Sequence, residues 1–583
     1  MTTENKDLDE TLDHSERIAV VGSPSTTTDL NLDVLGSAAE KKLIGSFGVI
    51  KYPQDGQNHY ALGQITEISM QNIWSQDPTM RSLIRQKGRV DPITGKQDTH
   101  RAKMMISSVF ANTGSEIEPS VLGTVPSTGT SVRLIDDLIL KKMLAVYEKE
   151  IFYLGNIYGN NVLLPTWFKH FEKGDGGLGE AYHLGVFGKT GSGKSVLAKM
   201  ILGGYGKHKQ MSMFIMDPQG EFSKDLKEDS PLKKILTDKL NRKIHIINLH
   251  NLVLSGFSLF EKILMESLLF MKLGIINKEN QGRAATAFVS KLKNLNCKPF
   301  KAYERTYFDE IIKSFHDNNF LAKIYSGKPY QERMKSSLES IDIEELYKDW
   351  EAVCKLFSYD GKKDAKIIRD LLDELFKEEE TEKTIVVIDL SSSEIPENIF
   401  WNEDIKKVVI KEFLAILTEK AEEKYKQDKN LNTLVVIDEA HRLAPREVTD
   451  NPQSEELKSV LIDAIRTTRK YGLGWMFISQ TLSSLHKELL NQIRIFMFGF
   501  GLGWGSELRA LEELIGGNKE SINLYQSFKD PQSGLGKKEY PFMCVGPLSP
   551  LSFSSTPLFF NALDYASKFT EVNFPEIKKS SRA

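Results

Sequence analysis

Leu184-Gly-Val-Phe187 runs directly into Gly188-Lys-Thr-Gly-Ser-Gly-Lys-Ser195, and Val196-Leu-Ala-Lys-Met-Ile-Leu202 follows at once. An apolar run, a glycine-rich turn and a second apolar run predict strand, loop and helix. The turn satisfies G-x-x-x-x-G-K-[ST], in which glycines let backbone N–H groups wrap phosphates while the helix N-terminus adds positive potential. The cofactor-binding residues are therefore Gly188, Lys189, Thr190, Gly191, Ser192, Gly193, Lys194, Ser195 and Val196. Lys194 is placed to reach the β- and γ-phosphates of ATP, and the Ser195 hydroxyl to enter a Mg²⁺ shell. A chance Gly/Ser/Lys loop would lack the flanking strand and helix.

At 583 residues the chain exceeds the size at which one core stops growing, so two to four domains are expected. Apolar residues are 40% and charged residues 27%, an ordinary globular composition with no run of eighteen apolar residues to span a membrane. Met1 to Glu16 is polar and acidic without an apolar signal core, which points to a cytoplasmic protein. Cys297, Cys354 and Cys544 stand far apart and match neither a zinc spacing nor a disulfide framework. A net charge of −3 excludes a uniformly basic nucleic-acid binder but leaves room for a local basic channel.

The polar residues 1–40 read as a flexible tail. Runs at Ser46 to Tyr52, Tyr60 to Ser69, Lys103 to Asn112 and Ser131 to Ile135 predict a small all-β domain over 41–150. Gly155 to Gly177 reads as a linker. Further strands are predicted at Met211 to Met216, Lys243 to Asn248, Thr384 to Leu390, Thr433 to Ile437, Gly474 to Ser479 and Ile495 to Gly499. Alternation with helical segments makes this an α/β fold with a mostly parallel sheet, its first part 151–258 and its second 383–550. Between them, 259–382 lacks strand signals and carries 3.6-residue periodicity, as in Ile263-Leu-Met-Glu-Ser-Leu-Leu-Phe-Met271, which predicts a helical insertion. Residues 551–583 form a C-terminal extension.

Three more elements carry chemistry. Leu434-Val-Val-Ile-Asp438-Glu439-Ala-His441 is an apolar strand ending in two carboxylates, the Walker B pattern. Asp438 is suited to hold metal, and Glu439, pointing the other way in an extended backbone, to polarise the water that attacks the γ-phosphate. Met216-Asp217-Pro218-Gln219-Gly220-Glu221 ends another strand. There Glu221 is a second candidate near water or metal, and a plain β-turn is the alternative. Finally, Ala464-Ile-Arg466-Thr-Thr-Arg469-Lys470-Tyr-Gly-Leu-Gly-Trp-Met-Phe-Ile-Ser479-Gln480 joins a basic helix end to a strand closing in an amide. Gln480 is suited to sense the γ-phosphate or to position water. Arg466 or Arg469 is suited to stabilise phosphoryl charge in a neighbouring subunit's site, unless both only offset a helix dipole.

The P-loop, Asp-Pro-x-Gly-Glu, Ile-Asp-Glu-Ala-His and Arg-Lys-Tyr-Gly-Leu-Gly with Ser-Gln, in this order, resemble the HerA branch of the HerA/FtsK translocases. The resemblance covers about Gly155 to Pro550 as a RecA-like P-loop ATPase core, and Ile44 to Ile135 is similar to that family's N-terminal HAS-barrel. It implies a homohexamer that threads double-stranded DNA through its pore as a translocase or helicase beside a NurA-like nuclease. It further implies that Lys194 and Ser195 bind nucleotide and Mg²⁺, that Asp438 and Glu439 serve metal and water, and that Gln480 is a sensor. The third position of Asp-Pro-x-Gly-Glu, often His in the family, is Gln219 here, and the Arg that commonly precedes the P-loop strand is Tyr182. By analogy the long insertion and acidic tail suggest a specialised relative, so the resemblance further implies pairing in antiphage defence with a sirtuin-like or nuclease effector, or a role in DNA end processing. Arg442 to Glu455 and Gly501 to Glu507 are candidate pore loops, with Arg442, Arg446 and Trp504 as candidate DNA contacts. Other roles compatible with the motifs are a protein-remodelling ring ATPase and an ATP-dependent ring scaffold that regulates an effector. An ABC-type transporter subunit is not, because Leu254-Ser-Gly256-Phe is only a fragment of the expected signature.

Overall fold

The structure, a computed structural model, describes residues 3–90, 95, 97–114, 116–174, 176–377, 383–534, 536, 538–552 and 556–575. A first sheet contains β1 (Arg17–Val21), β2 (Asp29–Val34), β3 (Phe47–Gln54), β4 (Gln57–Gln71), β5 (Thr99–Asn112), β6 (Ile117–Ser120) and β7 (Ser131–Leu134). Pairing runs β2-β1-β7-β3-β4-β5 and returns from β5 to β2, so six antiparallel strands close into a barrel, with β6 added beside β5. Closure leaves the six without a free edge. Register shifts between Leu62 and Gly63 and between Ile65 and Glu67 let the long β4–β5 pair bend around the barrel. Ile18, Leu30, Leu32, Ile65, Met104 and Val132 fill the interior.

The expected tail over 1–40 is therefore corrected, since residues 17–34 supply two of the six barrel strands. Only alternate residues of such strands need be apolar. In Leu30-Asn31-Leu32 the two leucines are fully buried while Asn31 faces outward, a pattern easily lost among Ser, Thr and Asp.

The second sheet has eleven strands. They are β8 (Ile151–Ile157), β9 (Leu163–Trp167), β10 (His183–Phe187), β11 (Ser212–Asp217), β12 (Ile244–Ile247), β15 (Ile385–Asp389), β16 (Thr433–Ile437), β17 (Leu473–Ser479), β18 (Ile493–Gly499), β19 (Pro541–Val545) and β20 (Leu558–Ala562). A separate parallel pair, β13 (Leu252–Val253) and β14 (Lys366–Ile367), joins the two ends of the insertion. In the order β12-β15-β11-β16-β17-β10-β18-β19-β20-β8-β9, the stretch from β12 to β18 is parallel and the rest antiparallel. This is a RecA-like α/β core.

Two further expectations change. The linker read at Gly155 to Gly177 contains the rest of β8 and all of β9, the hairpin that forms one edge of this sheet. Pro165 disguised it, but an edge strand tolerates a residue that cannot donate. The C-terminal extension likewise contributes β20, which lies between β19 and β8. A buried amide fixes the barrel against this strand: Gln64 Nε2 donates to Phe559 O at 2.9 Å, and Phe559 N–H donates to Gln64 Oε1 at 2.9 Å.

The insertion is helical as expected, with helices at Phe257–Glu266, Lys278–Asn294, Arg305–Ser314, Asn318–Ile324, Lys328–Leu338, Ile343–Cys354 and Ile368–Leu375. Phe260, Phe288, Trp350 and Phe357 form its aromatic centre and belong to the same continuous core as Phe187 and Phe214 of the central strands. Among the described residues no helix is long and apolar enough to cross a membrane.

Candidate functional site

Parallel strands all end on one edge of a sheet, and loops leaving that edge are where such folds bind ligands. Phe187 pairs in register with Ser479, Ile437 with Phe477, and Met216 with Ile437. The residues one step beyond these tips, Gly188, Asp438, Gln480 and Asp217, are thereby brought together from four distant stretches of sequence.

The P-loop leaves β10 and enters the helix Lys194–Gly206 through Gly193, at φ 89°. A side chain there would adopt an unfavourable left-handed backbone and place its Cβ 2.7 Å from the Tyr540 ring. Gly191, at φ 82°, is covered in the same way by the Gln532 amide. The segment preceding β19 thus packs onto the P-loop, a contact with no local signal in sequence. Ser192, within the turn, is buried and its hydroxyl has no hydrogen-bond partner among the described residues.

Around the P-loop the polar side chains form a chain. Thr190 Oγ1 donates to Gln480 Oε1 at 2.8 Å, Gln480 Nε2 donates to Glu439 Oε1 at 2.7 Å, and His441 Nδ1 lies 3.2 Å from Glu439 Oε2. His441 also meets Ser479 Oγ at 3.3 Å. The motif contains His441, but the sequence assigned it no role. Burial lowers its pKa, and the Glu439 carboxylate opposes that shift.

Glu439 does not continue the extended strand as expected. It sits at φ 52°, in the left-handed region, and starts the short helix Ala440–Leu443. Its N–H donates to Asp438 Oδ1 at 2.9 Å. Both carboxylates are buried, and the Asp438 carboxyl is pushed up to about 7 by burial first and then by Glu439, Glu221 and Asp217.

On the other side of the loop, Ser195 Oγ donates to Glu221 Oε2 at 3.0 Å, while Lys199 contacts Glu221 at 3.4 Å and Asp225 at 2.9 Å. Asp217 does not face the cleft. Its carboxylate accepts from the N–H groups of Gly220, Glu221 and Ser223 at 2.9, 3.0 and 2.8 Å, so it holds the turn that presents Glu221. Burial dominates the raised pKa of Asp217 and these donors oppose it.

Lys194 is buried, which lowers its pKa against the raising influence of Glu439, Asp438 and Glu221. With the Lys199 ammonium already engaged by Glu221 and Asp225, Lys194 faces the Glu439, Asp438 and Glu221 carboxylates, a set that repels a bare polyphosphate. A divalent cation offsets that repulsion, so this donor set fits a Mg²⁺–nucleotide better than nucleotide alone. Ser195 and Asp438, the residues expected from the motifs to meet the cation, could hold it.

Arg466 and Arg469 stand apart. Both precede β17, whereas Gln480 follows it, so roughly 20 Å of strand separates them from their own P-loop. Their side chains are 66% and 57% exposed and, among the described residues, make long ion pairs to Asp463 at 3.6 Å and Glu180 at 3.9 Å.

A parallel sheet with a P-loop at one strand tip and an Asp-Glu pair and a glutamine at neighbouring tips defines a P-loop ATPase. Residues 181–415 match the family model of the helicase HerA central domain. Structural similarity extends to VirB4 of Thermoanaerobacter pseudethanolicus, which is 15% identical, with 71% of this chain and 96% of that one covered and a TM-score of 0.38. The plasmid coupling protein TrwB, bound to the GTP analogue GDPNP, is 14% identical over 65% of this chain and 85% of its own, with a TM-score of 0.35. The genome packaging NTPase B204 of Sulfolobus turreted icosahedral virus 2, bound to ATP-gammaS, is 12% identical over 66% and 98%, with a TM-score of 0.29. With scores this low, the assignment rests on the family match and the residues at the strand tips. No curated protein matches the sequence.

Proposed function

We propose that this protein is an ATP-driven translocase of double-stranded DNA, working in the cytoplasm as a homohexameric ring beside an effector enzyme of the nuclease or sirtuin-like class. The observation that carries this reading is the chain Thr190–Gln480–Glu439 closing over the P-loop, the P-loop itself lying within the residues that match the HerA central domain. Lys194 neutralises the β- and γ-phosphates. Ser195 and Asp438 would hold Mg²⁺, whose charge would let a triphosphate approach so acidic a site. Glu439 orients the attacking water and takes up its proton, and Gln480 fixes the Glu439 carboxylate and reports on the γ-phosphate. Glu221 sets the Ser195 hydroxyl. Arg466 or Arg469 enters the site of the neighbouring subunit, which explains why neither is tied down in its own chain. Residues 17–134 act as the barrel domain, 151–258 and 383–575 as the motor core, and 259–382 as the insertion.

The test is steady-state ATP hydrolysis with and without linear double-stranded DNA, together with the mass of the assembly in solution. Stimulation by DNA and a six-subunit mass are expected. A monomer indifferent to DNA would end the translocase reading and favour a regulatory role for the ATPase.

A further inference from the structure

Glu507 belongs to none of the nucleotide motifs, yet only 8% of its surface is exposed. It lies in the first turn of the helix Gly505–Leu514, where a glutamate would ordinarily reach back to cap its own helix. Its oxygens instead leave the helix. Oε2 accepts from the N–H groups of Leu482 and Ser483 at 2.7 and 3.1 Å, and Oε1 accepts from the Ser483 hydroxyl at 2.7 Å. These groups are two and three residues beyond Gln480.

The same segment is tied on its other side to the chain that follows Glu439. Arg446 N–H donates to Ser484 O at 2.7 Å, and His486 N–H donates to Ala444 O at 3.0 Å. At its other end, the Glu507 loop begins on the P-loop itself, where Lys189 N–H donates to Phe500 O at 3.0 Å. Tyr525 braces the base of the loop, accepting from Leu502 N–H at 3.0 Å and donating to Gly499 O at 2.6 Å. The connections therefore close a ring: P-loop, residues 500–507, Glu507, residues 482–483, Gln480, and back to Thr190 of the P-loop. Within residues 500–507 the stretch 504–506 faces solvent, and Trp504 is 73% exposed.

We propose that Glu507 is a positioning residue for ATP hydrolysis. By holding the backbone after Gln480 it fixes the amide that orients Glu439, and it makes that amide responsive to whatever loads the Trp504 arc. Resting on the translocase reading above, the load is double-stranded DNA. Contact at Trp504 moves residues 504–506, Glu507 carries the movement to residues 482–483, and Gln480 tightens or releases Glu439. A carboxylate suits this task because its two oxygens serve three donors at once, which an amide oxygen serves less completely.

The experiment compares full-length wild type with Glu507→Ala, Glu507→Gln and Ser483→Ala, reading kcat and KM for ATP, the Kd of a fluorescent ATP analogue, and the stimulation of turnover by linear double-stranded DNA. For Glu507→Ala, kcat is expected to fall about tenfold or more, as when a residue acting only in the transition state is lost, with KM and Kd held within about twofold and DNA stimulation abolished. Glu507→Gln, which retains one acceptor oxygen for the two amides, is expected to recover most of that kcat. Ser483→Ala, which removes only the hydroxyl contact at the edge of the cluster, is expected to give a smaller loss in the same direction. Wild-type kcat and stimulation in Glu507→Ala would overturn the proposal, as would a loss of kcat matched by an equal loss of nucleotide affinity, the mark of simple collapse. If wild type itself is indifferent to DNA, the translocase reading fails, while the separation of kcat from Kd in Glu507→Ala still decides the role of Glu507.

Discussion

Glu439 has a backbone conformation that costs a non-glycine residue about 1–2 kcal/mol. The surroundings hold it there through the Asp438 carboxylate on its N–H and through Gln480 and His441 on its side chain. The reason lies in direction. An extended backbone would send Asp438 and Glu439 to opposite faces, whereas the left-handed turn lets the Glu439 carboxylate meet Gln480 at the P-loop edge. Strain of this kind persists where function over-determines it. Glu439→Gln preserves the shape and a hydrogen bond to Gln480 but removes the base. We expect turnover to fall by about 10²–10⁴ with nucleotide affinity retained, measured as kcat beside equilibrium binding of the same nucleotide. Glu439→Gly should also abolish turnover yet raise the thermal midpoint, because glycine adopts this backbone freely and one of two adjacent buried carboxylates disappears. A lowered midpoint would show that the contacts of Glu439 outweigh its strain.

His183 works at the scale of elements. Its Nδ1 accepts from Trp475 N–H at 3.2 Å, so its Nε2–H donates to Ile465 O at 3.2 Å, and one ring pins β10, β17 and the helix Pro452–Thr468 together. Burial pushes its pKa down to about 4 from an ordinary 6.5. With the folded value depressed, the contribution to stability is fully present above pH 6.5 and is lost as pH falls toward 4, on the order of 3 kcal/mol in all. His183→Asn, which keeps an acceptor for Trp475 N–H but does not titrate, should be less stable at pH 7 and lose less between pH 7 and 4.5, read from denaturant midpoints at each pH. The strands flanking His183 were legible because each is a short continuous apolar run, as a parallel strand buried on both faces must be. Asp438, Glu439 and Gln480 were legible for the same reason, since each directly follows such a run. The barrel strand β2 was hidden because only every second residue is apolar, β1 because its short apolar run Ile18-Ala-Val-Val21 sits between polar, acidic and Ser/Thr-rich stretches, and β9 because Pro165 is harmless at an edge. The left-handed turn at Glu439, the packing of Gln532 and Tyr540 on the P-loop, and the reach of Glu507 to residues 482–483 arise only when distant segments meet. No local spacing encodes them.

The whole molecule divides unevenly. The barrel interior is a cluster of its own, whereas the insertion shares one continuous core with the central strands, so Trp350 and Phe214 belong to the same packed unit. Excising 259–382 should therefore leave an ATPase core with no cooperative unfolding transition, followed by circular dichroism on heating. The arginines pose the remaining question at this scale. Arg466 and Arg469 are exposed at the end of the sheet opposite their own P-loop, so any catalytic use of them requires a second subunit. In a closed ring each subunit offers one face to the next, and a site split across that face has a testable signature. Take Lys194→Ala subunits, with a dead P-loop and intact arginines, and subunits carrying Arg466→Ala or Arg469→Ala, with an intact P-loop. Each is expected to be inactive alone. Mixed one to one and allowed to exchange, about a quarter of the interfaces pair an intact P-loop with an intact arginine, and ATPase activity should return toward that fraction of wild type. The arginine whose variant is rescued is the one that crosses the interface. If both arginine variants are inactive alone and neither mixture regains turnover, these side chains serve their own subunit's fold, and the charge that develops on the γ-phosphate must be met from within the chain.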